Sequence, residues 1–177
     1  MPAAIHILNG TSVGAESLGH LGGKVAEVFG VETKIQKASI SVERAFDQSR
    51  GQHNSTALVA QVLKAFPDSR DKYILVVEVD LFIPVLTFVF GEAQLNGTAA
   101  IVSTHRLQNQ FYGLAHDYPL MLARLEKEIV HELGHTFGLY HCRQFECVMR
   151  SSTYVEEIDL KRSVLCPACR SLLAHQG

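Results

Sequence analysis

His131, Glu132, His135, Gly138 and His141 stand in the order H-E-x-x-H-x-x-G-x-x-H. An α-helix turns by about 100° per residue, so His131 and His135, four apart, share one face a single turn apart. Two imidazoles placed in this way can bind one zinc ion at about 2.0–2.1 Å each. Glu132 projects about 100° round the helix from His131, off the metal but near a water held by it. His141 cannot join the pair if the helix runs on, because it would lie about 15 Å along the axis from His131. The chain must therefore turn back after His135. Gly138 is where it can, since glycine adopts positive φ without steric cost and commonly ends helices. The pattern reads as two ligands on a helix and a third delivered by a turn.

Three histidines leave one zinc position open. That is the catalytic arrangement, whereas a structural zinc is closed by four protein ligands. Zinc would bring the pKa of its water to about 7 and polarise a carbonyl. Glu132 would act as general base, taking the water proton and later passing it to a leaving amine. No serine or cysteine nucleophile is required. The competing reading of Glu132 is a solvated helix carboxylate.

All four cysteines follow this motif: Cys142, Cys147, Cys166 and Cys169. The last two form a C-x-x-C knuckle and the first two a looser pair. Two pairs of thiolates in a short segment suit a tetrahedral four-cysteine zinc site. Disulfides are the alternative and need an oxidising compartment. Residues 1–13 show no basic n-region, and the apolar run Ile5–Leu8 is too short for the core of a signal peptide. A cytoplasmic location is therefore expected. A redox C-x-x-C is the third option, but that motif normally sits near a thioredoxin-like βαβ unit, and here it sits in a tail with two spare cysteines.

These groups need elements to hold them. Ile5–Leu8 reads as a strand. Gly14–Phe29 carries Leu18, Leu21, Val25, Val28 and Phe29 on one helical face. Val31–Lys37 alternates weakly and reads as a strand. Asn54 can cap a helix through Leu58, Val59, Val62, Leu63 and Phe66, ended by Pro67. Lys72–Val79, Thr87–Phe90 and Thr98–Ser103 read as further strands. Asp117 and Pro119 open a long helix running to Gly138. Shorter helices are expected near Glu156–Arg162 and from Pro167. The order predicts an α+β fold, a mixed sheet flanked by helices.

At 177 residues, with 47% apolar and 19% charged residues and a net charge of −2, the chain suits one globular domain. Nothing in this balance calls for a nucleic-acid or membrane partner. No apolar run reaches the roughly 18 residues of a membrane span. The scattered histidines His6, His20, His53, His105, His116 and His175 read as surface or hydrogen-bonded core, with His53 and His116 the two to inspect near a cleft. Glu128 could orient a ligand but reads better as facing water, and Tyr154 as a packed or surface tyrosine.

The run from His131 through Cys142, Cys147 and Met149 to Cys166-Pro167-Ala168-Cys169 resembles the signature of the archaemetzincin family, within the metzincin clan. Here 16 residues separate Met149 from Cys166, one fewer than in that pattern. Arg50-Gly51-Gln52-His53-Asn54-Ser55-Thr56 resembles the family's R-x-Q-Y-N-S-T, with His53 in place of tyrosine. Phe88-Val89-Phe90-Gly91-Glu92-Ala93 resembles its F-V-F-G-E-A. The similarity covers nearly the whole chain and is weakest over residues 1–49.

The resemblance implies a zinc metallopeptidase with a metzincin-like fold and two zinc ions per chain. His131, His135 and His141 would hold the catalytic ion beside Glu132. Cys142, Cys147, Cys166 and Cys169 would hold the structural one, and Met149 would lie in the tight turn beneath the catalytic site. Thr87–Ala93 would supply the edge strand against which an extended peptide pairs. Residues 1–177 would form a single catalytic domain, with a larger part, 1–138, and a small zinc-stabilised part, 139–177. Expected partners are peptide or unfolded-protein substrates, and the chain is expected to be a monomer. The alternative is a zinc-stabilised module that binds peptides or proteins with little turnover.

Overall fold

The computed structural model describes residues 2–175. Residues 1, 176 and 177 of the expected 1–177 domain lie outside them. Five strands form the main sheet: β1 (Ala4–Asn9), β2 (Glu32–Lys37), β5 (Lys72–Val77), β7 (Gly91–Ala93) and β8 (Ala99–Ser103). Their order is β2-β1-β5-β8-β7. The first four run parallel, and β7 closes one edge antiparallel to β8. A second small sheet joins β3 (Phe46–Asp47), β4 (Gln52–Asn54) and β6 (Leu81–Phe82).

Successive side chains of a strand alternate between faces, and the core splits accordingly. Ile5, Ile7, Ile74, Val76, Ala100 and Val102 pack on one face with α1 (Ala15–Phe29) and α3 (Tyr118–Thr136). Leu8, Tyr73, Leu75, Val77, Ala99 and Ile101 pack on the other with α2 (Ser55–Ala65). The Asn54 side chain accepts from the Ala57 amide at 3.0 Å and so caps α2 as expected. Gly30, at φ +66°, ends α1. After α3 the chain is mostly irregular, apart from α4 (Val155–Leu160) and α5 (Pro167–Ala174). Val148, Met149, Val155, Ile158, Leu165 and Leu173 of this part join the same core as α1 and α3.

One strand is displaced from its expected place. Thr87–Phe90 is loop, touching the sheets through a bridge from Val89 to Leu81 and through the Phe90 carbonyl, which accepts from the Ser103 amide at 2.9 Å, and the edge strand is Gly91–Ala93. The reason is competition for backbone partners. The carbonyls of Leu86 and Thr87 accept from the Arg50 guanidinium at 2.7 and 3.0 Å instead of from a neighbouring strand. The three strands of the small sheet are each two or three residues long. They carry too little periodicity to be read from sequence.

Candidate metal centre

Helix α3 begins where expected. Asp117 accepts from the Leu120 amide at 2.9 Å, and Pro119 lies in the first turn. Met121, Leu125, Ile129 and Leu133 recur at helical spacing and are buried, which fixes the helix against the sheet. The helix ends at Thr136, two residues before Gly138. Gly138 has φ +84°, its amide bonds the His135 carbonyl at 2.8 Å, and the Leu139 amide bonds the Gly134 carbonyl at 2.9 Å. This is a Schellman termination, which needs the positive φ that glycine supplies. It reverses the chain and brings His141 back over the helix.

Two neighbouring elements grip the same helix end. The Asn96 amide, in the β7–β8 turn, bonds the His135 carbonyl at 2.8 Å. The Lys72 ammonium bonds the Thr136 carbonyl at 2.9 Å and the Gly97 carbonyl at 2.6 Å. A cation at a helix C-terminus also complements the helix dipole. The edge hairpin and the histidine-bearing turn of α3 are thus held as one unit.

The three imidazoles converge. His131 Nδ1 lies 2.8 Å from the Val148 carbonyl, and His135 Nδ1 lies 2.7 Å from the Leu139 carbonyl. A carbonyl only accepts, so each Nδ1 donates its proton and each Nε2 is left as a lone-pair donor. The two Nε2 atoms stand 3.2 Å apart. The His141 ring lies 5.3 and 4.9 Å from the other two, and one nitrogen of each of the three rings falls within 4.8 Å of the others. Nitrogens bound to one tetrahedral zinc stand about 3.3 Å apart. The donor set, tautomers and spacing fit that ion. Burial lowers the pKa of all three histidines, aided by the nearby Lys161 ammonium and strongest at His131. The imidazoles are thereby kept neutral, the state that binds metal.

Glu132 is buried beside them. Burial raises its pKa well above the ordinary range, and the Glu128 carboxylate adds to the shift. Its neighbour across the cleft is Gly91 of β7. A Cβ there would stand 2.7 Å from Glu132 Cγ and 2.6 Å from the Ile101 carbonyl, so only glycine fits. Glu128 does not face water as expected. It is buried and paired at 3.1 Å with the buried Lys161, which also bonds the Arg150 carbonyl at 3.0 Å. This partner lies 33 residues further on, so no local pattern could have named it. Met149 is fully buried against α3, where a Cβ at Gly134 would meet its sulfur and come within 2.9 Å of its Cε.

The four cysteines form a second cluster. Sγ of Cys142 lies 3.7 Å from that of Cys166, and Sγ of Cys147 lies 3.8 Å from that of Cys169, with all four sulfurs within 4.8 Å. Thiolates on one tetrahedral zinc stand about 3.8 Å apart, whereas a disulfide brings its sulfurs to about 2.0 Å. Backbone amides of Gln144 and Cys166 approach the sulfurs of Cys142 and Cys147 at 3.4 Å. Although burial pushes the Cys166 thiol up, the Cys169 amide and the neighbouring thiols pull it down to about 7. The donor set fits zinc here too. Cys142 adjoins His141, and its amide bonds the Met149 carbonyl at 2.9 Å, so the two clusters share a backbone.

A cleft of about 470 Å³ opens over the histidines. Leu86–Ala93 form one wall, Ser151, Ser152 and Thr153 the other, and Glu128, His131, Glu132, His135 and His141 the floor. On either side of β7, the Phe90 carbonyl accepts from the Ser103 amide at 2.9 Å and the Gln94 amide donates to the Ala99 carbonyl at 3.0 Å, both in β8. By strand alternation Gly91 and Ala93 turn their backbone groups to the free edge. His53 and His116 do not line the cleft: His53 packs against Phe46, and His116 bonds Gln110. Tyr154 is exposed at the start of α4. Among the described residues no helix is long and apolar enough to cross a membrane.

The chain is similar to known proteins in sequence and in fold. Residues 26–175 match the model of peptidase family M54. The archaemetzincin of Methanocaldococcus jannaschii is 40% identical, covering 93% of this chain and 89% of that protein. The crystal structure of the Methanopyrus kandleri archaemetzincin superposes with a TM-score of 0.84 at 34% identity, over 99% of this chain and 94% of that one. A zinc-dependent peptidase from Methanocorpusculum labreanum gives a TM-score of 0.86 at 29% identity, over 96% of this chain and 99% of that one. With both its sequence and its fold matched along nearly their full length, the chain belongs to the archaemetzincins, peptidase family M54, and is a zinc metallopeptidase.

Proposed function

We propose that His131, His135 and His141 hold the catalytic zinc and that Glu132 is the general base of peptide hydrolysis. The observation that carries this reading is the pair of Nε2 atoms 3.2 Å apart, each freed by an Nδ1 bond to a main-chain carbonyl, beside a buried carboxylate. Zinc, when bound, supplies a Lewis acid that polarises the scissile carbonyl and acidifies water. Glu132 takes a proton from water and returns it to the leaving amine. Burial raises its proton affinity, which moves a carboxylate toward the range useful at neutral pH. The free edge of β7 offers the Gly91 and Ala93 backbone groups to an extended substrate, a peptide or an unfolded segment.

Cys142, Cys147, Cys166 and Cys169 hold a second, structural zinc, giving two ions per chain. This ion orders the part of the chain from residue 139, which makes one wall of the cleft, and residues 1–138 make the other within one catalytic domain. Thiols committed to metal suit the reducing cytoplasm. We read the protein as a monomer whose partners are peptides rather than nucleic acid or membrane.

The test is hydrolysis of a peptide library by wild type and by Glu132→Ala at equal zinc content. The reading requires cleavage by wild type and a loss of at least about a hundredfold in the variant. Equal traces of cleavage in both would instead support a zinc-stabilised binding module.

A further inference from the structure

The segment from Arg50 to Thr56 does not line the cleft, yet four of its side chains end on the wall that does. The Arg50 guanidinium donates to the Leu86 and Thr87 carbonyls at 2.7 and 3.0 Å. The Gln52 amide donates to the Thr87 carbonyl at 3.1 Å and to Asp80 at 3.0 Å, and its oxygen accepts from Arg50 Nε at 3.1 Å. Asp80 in turn accepts from Arg106 at 2.6 and 2.7 Å. The Arg106 guanidinium lies 4.1 Å over the Phe88 ring, and that of Arg50 lies 4.1 Å over the Phe82 ring. At the far end of the wall, the Ser55 and Thr56 hydroxyls both donate to the Glu92 carboxylate of β7, Thr56 at 2.8 Å.

This network is built around a loop that would otherwise be free to move. Residues 83–90 connect β6 to β7, and their tip exposes apolar side chains, Val85 at 85% and Leu86 at 51%. Apolar loop tips in water are commonly mobile. Here the main chain beneath the tip is fixed by the Arg50 guanidinium, whose Nη2 reaches two successive carbonyls while its Nε donates to Gln52. Leu86 and Phe88 face the same cleft as the three histidines. Across from them stand Ser151, Ser152 and Thr153. A peptide in the cleft thus meets a preorganised apolar surface on one side and hydroxyls on the other.

We infer that the loop carrying Leu86 and Phe88 is the specificity wall of the cleft. It takes up an apolar side chain of the substrate, and Arg50 and Gln52 are the positioning residues that hold it. The inference rests on the proposed reading of the cleft as the peptide site. Its warrant is the continuity of this surface with the histidine floor together with the investment of buried and charged side chains in the loop's main chain. Holding the wall in place before binding reduces the ordering that binding would otherwise require.

The test uses the zinc-loaded full chain and a peptide library in which each position flanking the scissile bond is varied. Wild type should cleave peptides with Leu, Met or Phe at one such position about tenfold faster, as kcat/KM, than the same peptides with Ser or Asn there. Leu86→Asn, at a half-exposed side chain, should flatten that preference to under about threefold. Arg50→Met should raise KM for the apolar peptide about tenfold while kcat stays within about threefold and zinc content is unchanged, with Arg50→Lys in between. A preference that survives Leu86→Asn overturns the inference. So does an Arg50→Met protein that loses kcat or zinc with KM unmoved. If Arg50→Met does not fold, the Leu86→Asn profile decides alone. If wild type cleaves no better than Glu132→Ala, the catalytic reading of the cleft fails first and this inference goes with it.

Discussion

Removing the Lys161 ammonium should destabilise the protein far more than an ordinary lysine substitution, and the loss should depend on Glu128. Both side chains are buried, 1% and 4% exposed, with nitrogen and oxygen 3.1 Å apart. At an effective dielectric of 20, unit charges at that distance attract by about 5 kcal/mol. Breaking a buried pair on one side typically costs about 3–5 kcal/mol, because the other charge is left without a partner. Lys161→Met also strands the Arg150 carbonyl, whose bond contributes about 1 kcal/mol. For a chain of this length the single variant should melt on the order of 10 °C below wild type. Lys161→Met with Glu128→Gln should recover most of that loss, since it removes the orphaned charge. The assay is urea unfolding of wild type, both single variants and the double variant, each at fixed zinc. A coupling of at least about 2 kcal/mol is expected. If Lys161→Met falls within about 0.5 kcal/mol of wild type, or if the two losses simply add, the buried pair does not tie α3 to the chain after it, and the reasoning fails.

Three further outcomes follow from the same geometry. Gly91→Ala drives a methyl group toward Glu132 and the Ile101 carbonyl, so kcat/KM should fall by about a hundredfold or more while zinc content holds; normal activity in the variant would refute the close approach. In the metal-free protein, the lowered histidine pKa values mean that the unfolded chain binds more protons below pH 6.5. Stability present above that pH should therefore drain away as pH falls toward the lowered values. Glu132, with its pKa raised, acts in the opposite sense: its contribution is present below pH 4.5 and is lost as pH rises through the raised value. Metal-free Glu132→Gln should thus gain on wild type as pH rises in melting experiments, and equal pH profiles would contradict the burial. Cys166→Ser should lose the structural zinc and, because Cys142 adjoins His141 and bonds Met149, also weaken the catalytic one. Metal analysis checks this, and undiminished occupancy of the histidine site would show the two clusters to be uncoupled.

The histidine cluster was legible because helical geometry governs its spacing. His131 and His135 must share a face, and Gly138 must break the helix for His141 to return. The cysteine cluster was legible from its short spacings, for which a shared ion, paired bridges and a redox pair were the readings. The helix caps at Asn54 and Asp117 are local and were read from local sequence. What escaped depends on distant partners. Thr87–Phe90 has the composition of a strand, but Arg50 and Gln52 take the carbonyls of its start, and the strand forms at Gly91, where a helix carboxylate leaves no room for a side chain. Glu128 looked like a solvent-facing helix residue because Lys161 lies 33 positions away. Lys72 gave no sign of reaching the end of the histidine helix, since its contact with Thr136 spans 64 residues.

Counting zinc before and after mild chelation, in wild type and in His135→Ala, asks whether the three imidazoles hold the catalytic ion. Two ions are expected in wild type, one of them removed together with all peptidase activity and restored with it, and a single chelator-resistant ion in the inactive His135→Ala protein. One ion in wild type, or two in His135→Ala with hydrolysis intact, would show that the three imidazoles are not the catalytic metal site.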